Sequence, residues 1–452
     1  MIEKDISPSL SGRRFKPYPS YKDPGVEWLG KIPIHWGTDR LKYLVNVINE
    51  RSYDSESDLP FIGLEHIEPG SGRLLTSTED RIGEIEEIES SSSHFRPGDI
   101  LFGKLRPYLA KVLKPDFEGR SSTELIVLRC GGNIDPKNLS YQLLSSGFIS
   151  WINSMTYGTK MPRANAEQIV NTKVPLAPLP EQHAIARFLD RETAKIDALI
   201  AKKERLIELL QEKRTALITQ AVTKGLDPNV PMKDSGVEWL NEIPAHWETV
   251  RMKFLLAAPL KYGANEAAEL DDPELPRYVR ITDIDENDGL REATFKSLTF
   301  EVAKEYLLCE EDLLFARSGA TAGKSFLYRR SWGACAYAGY LIRARLDTKK
   351  AFPEFIRYFT ASTSYWQWIA STLIQATIQN VSAERYANLS LPLPTVAEQR
   401  AISAFLARET AKIDSLMAKV KEAIDSLREF RTALISAAVT GKIDVRVMQS
   451  TT

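Results

Sequence analysis

Apolar residues recur at spacings of three and four along two stretches of this chain. In the second stretch, Ile413, Leu416, Val420, Ala423, Leu427, Phe430 and Leu434 follow a 3-4-3-4-3-4 pattern. That is an a/d seam of the kind that packs one helix on another. The first stretch has Ile196, Leu199, Lys203, Leu206, Leu210, Lys213 and Leu217 at the matching places. Its two lysines argue against a parallel zipper of identical chains. No proline or glycine falls within 181–223 or 398–440, while Pro180 precedes the first stretch and Gly225 and Gly441 follow the two ends. Helices commonly begin and stop on those residues. Each stretch is therefore predicted to be one helix of about 65 Å. With one seam each, the two are expected to pack together, antiparallel if the halves of the chain are related by a pseudo-two-fold axis. Ile185, Phe188 and Leu189, with Ile402, Phe405 and Leu406, are expected to anchor the helix bases.

The helices belong to a duplication. Residues 23–36, DPGVEWLGKIPIHW, and 234–247, DSGVEWLNEIPAHW, agree at ten of fourteen positions. Residues 181–223 and 398–440 agree at 27 of 43. The segments between barely agree. A short head and a long tail thus do one job twice, and the middles are expected to share a fold while presenting different surfaces. The head residues Val26, Trp28, Leu29, Ile32 and Trp36, with Val237, Trp239, Leu240, Ile243 and Trp247, look like a local anchor. His35 and His246 are expected to be structural, because no nucleophile or metal-ligand companion sits near them.

The middles mix apolar runs, such as Leu125–Leu128 and Leu313–Ala316, with glycine and proline, followed by helical patches at 139–156 and 352–373. The predicted class is α+β (mixed α/β) with a mixed sheet: two globular domains joined by two long antiparallel coiled-coil helices. The expected division is a flexible leader 1–22, head and domain 23–180, central helix 181–224, linker 225–233, head and domain 234–397, C-terminal helix 398–445 and tail 446–452.

The 452 residues carry a net charge of −1, which on its face speaks against a nucleic-acid binder. The charge is segregated along the chain, however. Residues 50–99 hold thirteen acids and four bases, and 100–173 hold five acids and ten bases. Residues 266–312 hold fifteen acids and five bases, and 313–357 hold two acids and nine bases. Basic side chains on one face attract phosphate whatever the total. The basic halves include Lys104, Arg106, Tyr108, Lys111 and Lys114 in one copy. In the other they include Arg317, Lys324, Arg329, Arg330, Arg343 and Arg345.

Three cysteines without CxxC spacing, Cys130, Cys309 and Cys335, are expected to be buried free thiols rather than a disulfide framework or a zinc site. No apolar run reaches the ~20 residues of a membrane span, so a cytoplasmic protein is expected. Gly319–Ser325 imitates a phosphate-binding loop, but three residues separate its glycines and the Walker spacing needs four. A tight turn presenting Arg317, Ser318, Thr321 and Lys324 to a polyanion fits better. GxSxG, HExxH, EF-hand and Asn-Pro-Pro-aromatic motifs are absent from the sequence, and the acidic group Glu84, Glu86, Glu87 and Glu89 reads as a solvated face.

The duplicated head GVEWLGKIPIHW, the tail starts PLAPLPEQHAIARFLD and LPLPTVAEQRAISAFL, RETAKID in both helices, and LFGKLRPYLAKV beside LLFARSGATAGKSFL together resemble the specificity subunits of type I restriction–modification systems, over about residues 20–445. The resemblance implies two target recognition domains, each reading half of a split, asymmetric double-stranded DNA sequence, with the helices as spacers. One heptad inserted in both helices would then add about 10 Å, or roughly three base pairs, between unchanged half-sites. It implies two modification (methyltransferase) subunits docked on heads and helices, and two restriction/translocase subunits. S-adenosylmethionine, ATP and Mg would be held by those partners, with no catalytic residue, cofactor or metal in this chain. Candidate DNA contacts are Lys104, Arg106, Tyr108, Lys111, Lys160, Arg163, Asn165, Arg317, Ser318, Thr321, Lys324, Arg343, Gln379 and Asn380. Arg106 and Arg317 stand first, at equivalent loops. The alternatives are a coiled-coil scaffold bridging two protein-binding domains, a P-loop nucleotidase around Lys324, and a subunit of a methylation-only complex.

Overall fold

The computed structural model describes residues 15–48, 51–52, 59–75, 92–158, 160–285, 289–374 and 380–446. The chain forms two compact units, Met1–Glu204 with Lys421–Thr452, and Arg205–Val420. The unit boundaries fall within two long helices, Leu179–Lys224 and Val396–Val439.

In the first unit the middle is built on an antiparallel sheet in the order Val45–Ile48, Leu125–Cys130, Ile100–Gly103, Val112–Leu113. Alternate residues of a strand face opposite sides. Ile100, Phe102, Ile126 and Leu128 pack on one side with the helices Pro136–Leu144 and Ser146–Ser154 and the base of the first long helix. Leu101, Leu125 and Val127 pack on the other with Ile62, Ile67 and Phe95. Burial on both faces is why these strands read as unbroken apolar runs. A smaller sheet supplies the mixed pairing: Gly119–Ser121 runs parallel to Phe61–Ile62 and antiparallel to Ser92–Phe95.

The second unit repeats the plan. Its sheet runs Leu256–Tyr262, Leu341–Leu346, Leu313–Ala316, Ser325–Leu327, with Arg277–Val279 parallel to Cys335–Tyr337 beside it. Its helices are Pro353–Thr360 and Thr363–Ile374. The same bidentate pair stands at the start of the same strand in each unit: Arg129 on Asp99 at 2.8 and 2.7 Å, and Arg345 on Asp312 at 2.8 and 2.6 Å.

Head and tail repeat together because they touch. In the first unit the head strand Gly37–Arg40 pairs with Lys173–Leu176, and the buried Trp36 donates from Nε1 to Glu181 at 3.1 Å. His35 Nε2 lies 2.9 Å from the same carboxylate, which also accepts from the Tyr18 hydroxyl. In the second unit Trp247 Nε1 donates to Glu398 at 3.0 Å, and His246 Nε2 lies 3.2 Å from it. The adjacent glutamines work alike. Gln182 accepts from the Asp135 amide and donates to the Ala177 carbonyl, and Gln399 accepts from Phe352 and donates to Pro394. Both histidines are thus structural.

Residues 15–22, expected in a flexible leader, are tied down. Tyr18 is buried, Tyr21–Lys22 pairs with Ile32–Pro33, and Asp444 donates its amide to the Lys16 carbonyl at 2.8 Å. The chain leaves the second long helix through Gly441, in the left-handed region at φ 74°. A Cβ there would lie 2.3 Å from Pro33 Cδ, so both the backbone and the neighbouring head demand glycine.

The helix seam is shifted from the expected register. In the first helix Thr193, Ile196, Ile200, Lys203, Ile207, Leu210, Arg214, Leu217 and Ala221 face inward. Thr410, Ile413, Met417, Val420, Ile424, Leu427, Arg431, Leu434 and Ala438 do so in the second. Ile196, Leu210, Leu217, Ile413, Val420, Leu427 and Leu434 are shared with the expected seam, and Phe430 is half-buried beside it. Leu199, Leu206 and Leu416 are exposed instead. The cause is an ambiguity of spacing: Leu199 and Leu206 are each followed by an isoleucine, and the chain takes the i+4 choice. Within the first unit, Arg431 pairs with Asp197 and Arg428 with Glu204, both at 3.0 Å. Numbering rises along one helix as it falls along the other, so the packing is antiparallel. In the second unit Arg214 pairs with Asp414 at 3.0 Å, the duplicate of Arg431–Asp197. We expect Ile424→Ala to cost about 2–5 kcal/mol in denaturant unfolding and Leu416→Ala less than about 0.5 kcal/mol. Equal costs would restore the expected register.

Candidate nucleic-acid interface

Three loops converge on one edge of each middle. In the first unit, Lys104 N donates to the Glu124 carbonyl, Arg106 N to Pro162, and Ala164 N to Lys104, at 2.9, 2.7 and 2.9 Å. This frame gathers Lys104, Arg106, Glu124 and Arg163, with Tyr157 bonded to Arg163 through both backbones. Arg163 forms an ion pair with one Glu124 oxygen. The other oxygen, Oε2, is buried without a hydrogen-bond partner, as is Arg106 Nε. Burial holds the Lys104 ammonium below the usual lysine range, with Glu124 pulling it up and Arg163 down. Tyr108, Tyr157 and Lys160 stand exposed nearby in sequence.

In the second unit the same frame recurs. Arg317 N donates to Tyr340 O at 3.0 Å and Val381 N to Arg317 O at 2.8 Å, while Ser318 bridges Asn380. The occupants differ. The Arg317 guanidinium lies over the Tyr262 ring, 4.8 Å from its centroid, and its Nε donates to Asn380 Oδ1 at 3.4 Å. The Tyr262 hydroxyl accepts from the Ala383 amide at 3.0 Å. Tyr340, Lys324 and Gly319 are exposed, and Thr321 is half-buried in the turn.

These bonds make the loops of Arg106 and Arg317 equivalent, as expected, and set the residue register within them: Arg317 matches Lys104, and Arg106 matches Gly319. Arg106 sits at φ 49° and Gly319 at 72°; Ala110 sits at φ 47° where the other copy has Gly323 at 92°. The turn is kept and the residues are not. A left-handed L-residue costs about 1–2 kcal/mol, and such strain gathers at functional sites. We expect Arg106→Gly to leave thermal stability unchanged or raise it by up to about 1 kcal/mol while weakening DNA binding. A destabilised variant would contradict the strain assignment.

Other basic candidates are paired, buried or placed elsewhere. Arg343 is buried in the Leu341–Leu346 strand, because its position on the sheet points into a covered face. Arg345 is held by Asp312, and Arg329 by Glu354. Lys111 Nζ donates to Leu64 O at 2.5 Å. Lys114 lines a groove of the first unit with Phe117 and Asp197. Asn165 caps the helix Ala166–Asn171, accepting from Glu167 N at 2.9 Å. Gln379 and the Glu84–Glu89 acids lie outside the described residues. Sequence reading missed Glu124, Tyr262 and Tyr340; the available signal was their place beside the ends of apolar strands.

Among the described residues no group of three or more His, Cys, Asp or Glu could hold a metal ion, and no helix is long and apolar enough to cross a membrane. Cys309 is exposed, against expectation, whereas burial pushes the Cys130 and Cys335 thiols up to about 12.

The model of the type I restriction modification DNA specificity domain matches residues 98–209 and 244–426. The chain is 29% identical over 173 residues to the type I restriction enzyme EcoDI specificity subunit of Escherichia coli, covering 38% of each. It is 23% identical to the MjaVIII specificity subunit of Methanocaldococcus jannaschii, covering 92% of this chain and 95% of that one. A chain solved in work on complex assembly and conformational transition of the type I R-M system has the same fold, with a TM-score of 0.69 at 17% identity, over 91% of this chain and 99% of that chain. With most of both middles and both helices matched, this chain belongs to the family of type I restriction–modification specificity subunits.

Proposed function

We propose that the two loop clusters each read one half of a bipartite, asymmetric double-stranded DNA target. The observation that carries this reading is one backbone frame holding different chemistry: Lys104, Glu124 and Arg163 in one unit stand where Arg317, Tyr340 and Asn380 stand in the other. Exposed Lys160 and Lys324 fit phosphate contacts that fix position, and the clustered groups fit base edges in the major groove. The duplicated heads and helices suit two copies of one partner, which we assign to methyltransferase subunits, with two restriction/translocase subunits joining them. S-adenosylmethionine, ATP and Mg belong to those partners in this reading, and this cytoplasmic chain contributes recognition without catalysis.

The test is binding of target duplex by the assembled complex as salt is raised. Six to ten phosphate contacts predict a loss of about 10³–10⁵ in affinity between 50 and 200 mM. Weak binding that ignores salt would favour the coiled-coil scaffold.

A further inference from the structure

We propose that Arg317 reads a guanine in the half-site of the second unit, an inference that rests on the DNA-reading function above. Arg277, Arg280, Arg329 and Arg345 of the same unit are each paired with a carboxylate. Arg317 is held differently. Its plane is fixed by the Tyr262 face at 4.8 Å, and its Nε is turned to Asn380 Oδ1. Tyr262 is itself pinned by the Ala383 amide at 3.0 Å. Among the described residues, the two terminal nitrogens of Arg317 have no hydrogen-bond or ion-pair partner.

This leaves a planar two-donor edge, oriented in advance and unclaimed by any carboxylate. Guanine presents two adjacent acceptors, N7 and O6, in the major groove, whereas adenine places an amino donor beside N7. A rigid arginine fork matches the first pattern and is repelled by the second. A phosphate contact would need the charge but not the fixed plane. In the other unit the matching residue is Lys104, a point charge without a fork, so the same base is not read there in the same way.

The test uses the complex of this chain with its modification subunits. The target is mapped from methylated adenines, and each guanine in it is then replaced by 7-deazaguanine, which lacks the N7 acceptor. At one guanine the wild-type complex should lose about tenfold to a hundredfold in affinity. Arg317→Ala removes the fork from this half-buried position. It should bind the unmodified target about tenfold to a hundredfold more weakly and become insensitive to 7-deazaguanine at that position. Three results would overturn the inference while leaving DNA reading intact: no sensitive guanine, an Arg317→Ala complex that keeps the sensitivity, or a loss equal on target and unrelated duplexes. A wild-type complex without sequence preference would instead remove the reading beneath it, and the inference with it.

Discussion

A chain in which residues 252–389 are replaced by residues 41–172 recognises a target whose two halves carry the same sequence. The exchange is physically permitted because both segments are closed at the same joint. Leu41 donates its amide to Thr172 at 3.1 Å, and Met252 to Leu389 at 2.9 Å. The flanking strands pair in the same register, Arg40 with Lys173 and Arg251 with Ser390. The helix base offered to the graft is also the same. Ile402 and Leu406 repeat Ile185 and Leu189, and Gln399 repeats Gln182. One further contact finds its partner: in the first unit Arg431 donates to the carbonyls of Gly70 and Ser71 at 3.0 and 2.8 Å, and Arg214 holds the duplicate position. Methylated-adenine mapping of the chimera should return the first half-site twice. An unchanged second half-site would show that recognition does not reside in the middles.

Replacing Glu181 with alanine costs the first unit about 3–5 kcal/mol, the usual penalty for breaking a buried charged network. Its side chain is 6% exposed and accepts from Trp36, Tyr18 and, in the tautomer with the proton on Nε2, His35. Alanine leaves the buried indole N–H and phenol without acceptors. Glu398→Ala is the internal control. That carboxylate is 30% exposed and, among the described residues, serves only Trp247 and His246, so about 1–3 kcal/mol is expected. Denaturant unfolding of the two variants measures both. Equal small losses would mean that the repeated His-Trp and Glu-Gln motifs do not join head to tail.

Much of the architecture is legible in the sequence because it is written twice. The helices, their glycine ends, the two apolar strands and the anchoring tryptophans follow from periodicity and from what a duplication keeps. The seam register was not legible. Leu199 and Ile200, or Leu206 and Ile207, are equally apolar, and only the partner helix decides between them. Charge along the chain was a poorer guide than charge in space. Arg129, Arg329, Arg343 and Arg345 all belong to the basic blocks, yet pairing or burial occupies each of them. The members that sequence reading missed, Glu124, Tyr262 and Tyr340, lie far from Lys104 and Arg317 in sequence. Backbone bonds bring in Glu124 and Tyr340, and the Tyr262 ring and hydroxyl bring it in from the end of its strand. The equivalence of the Arg106 and Arg317 loops was legible, but the register within them was not: the turn is kept by its left-handed positions, filled by Arg106 and Ala110 in one copy and by Gly319 and Gly323 in the other.

If two units built on one frame read two different DNA sequences, every methylated adenine mapped in DNA exposed to the complex of this chain with its modification subunits should fall in one target of two unlike short halves at a fixed separation. The Arg317 variant should alter one half and leave the other. A single uninterrupted target, or methylation without sequence preference, would contradict the reading of two sequences.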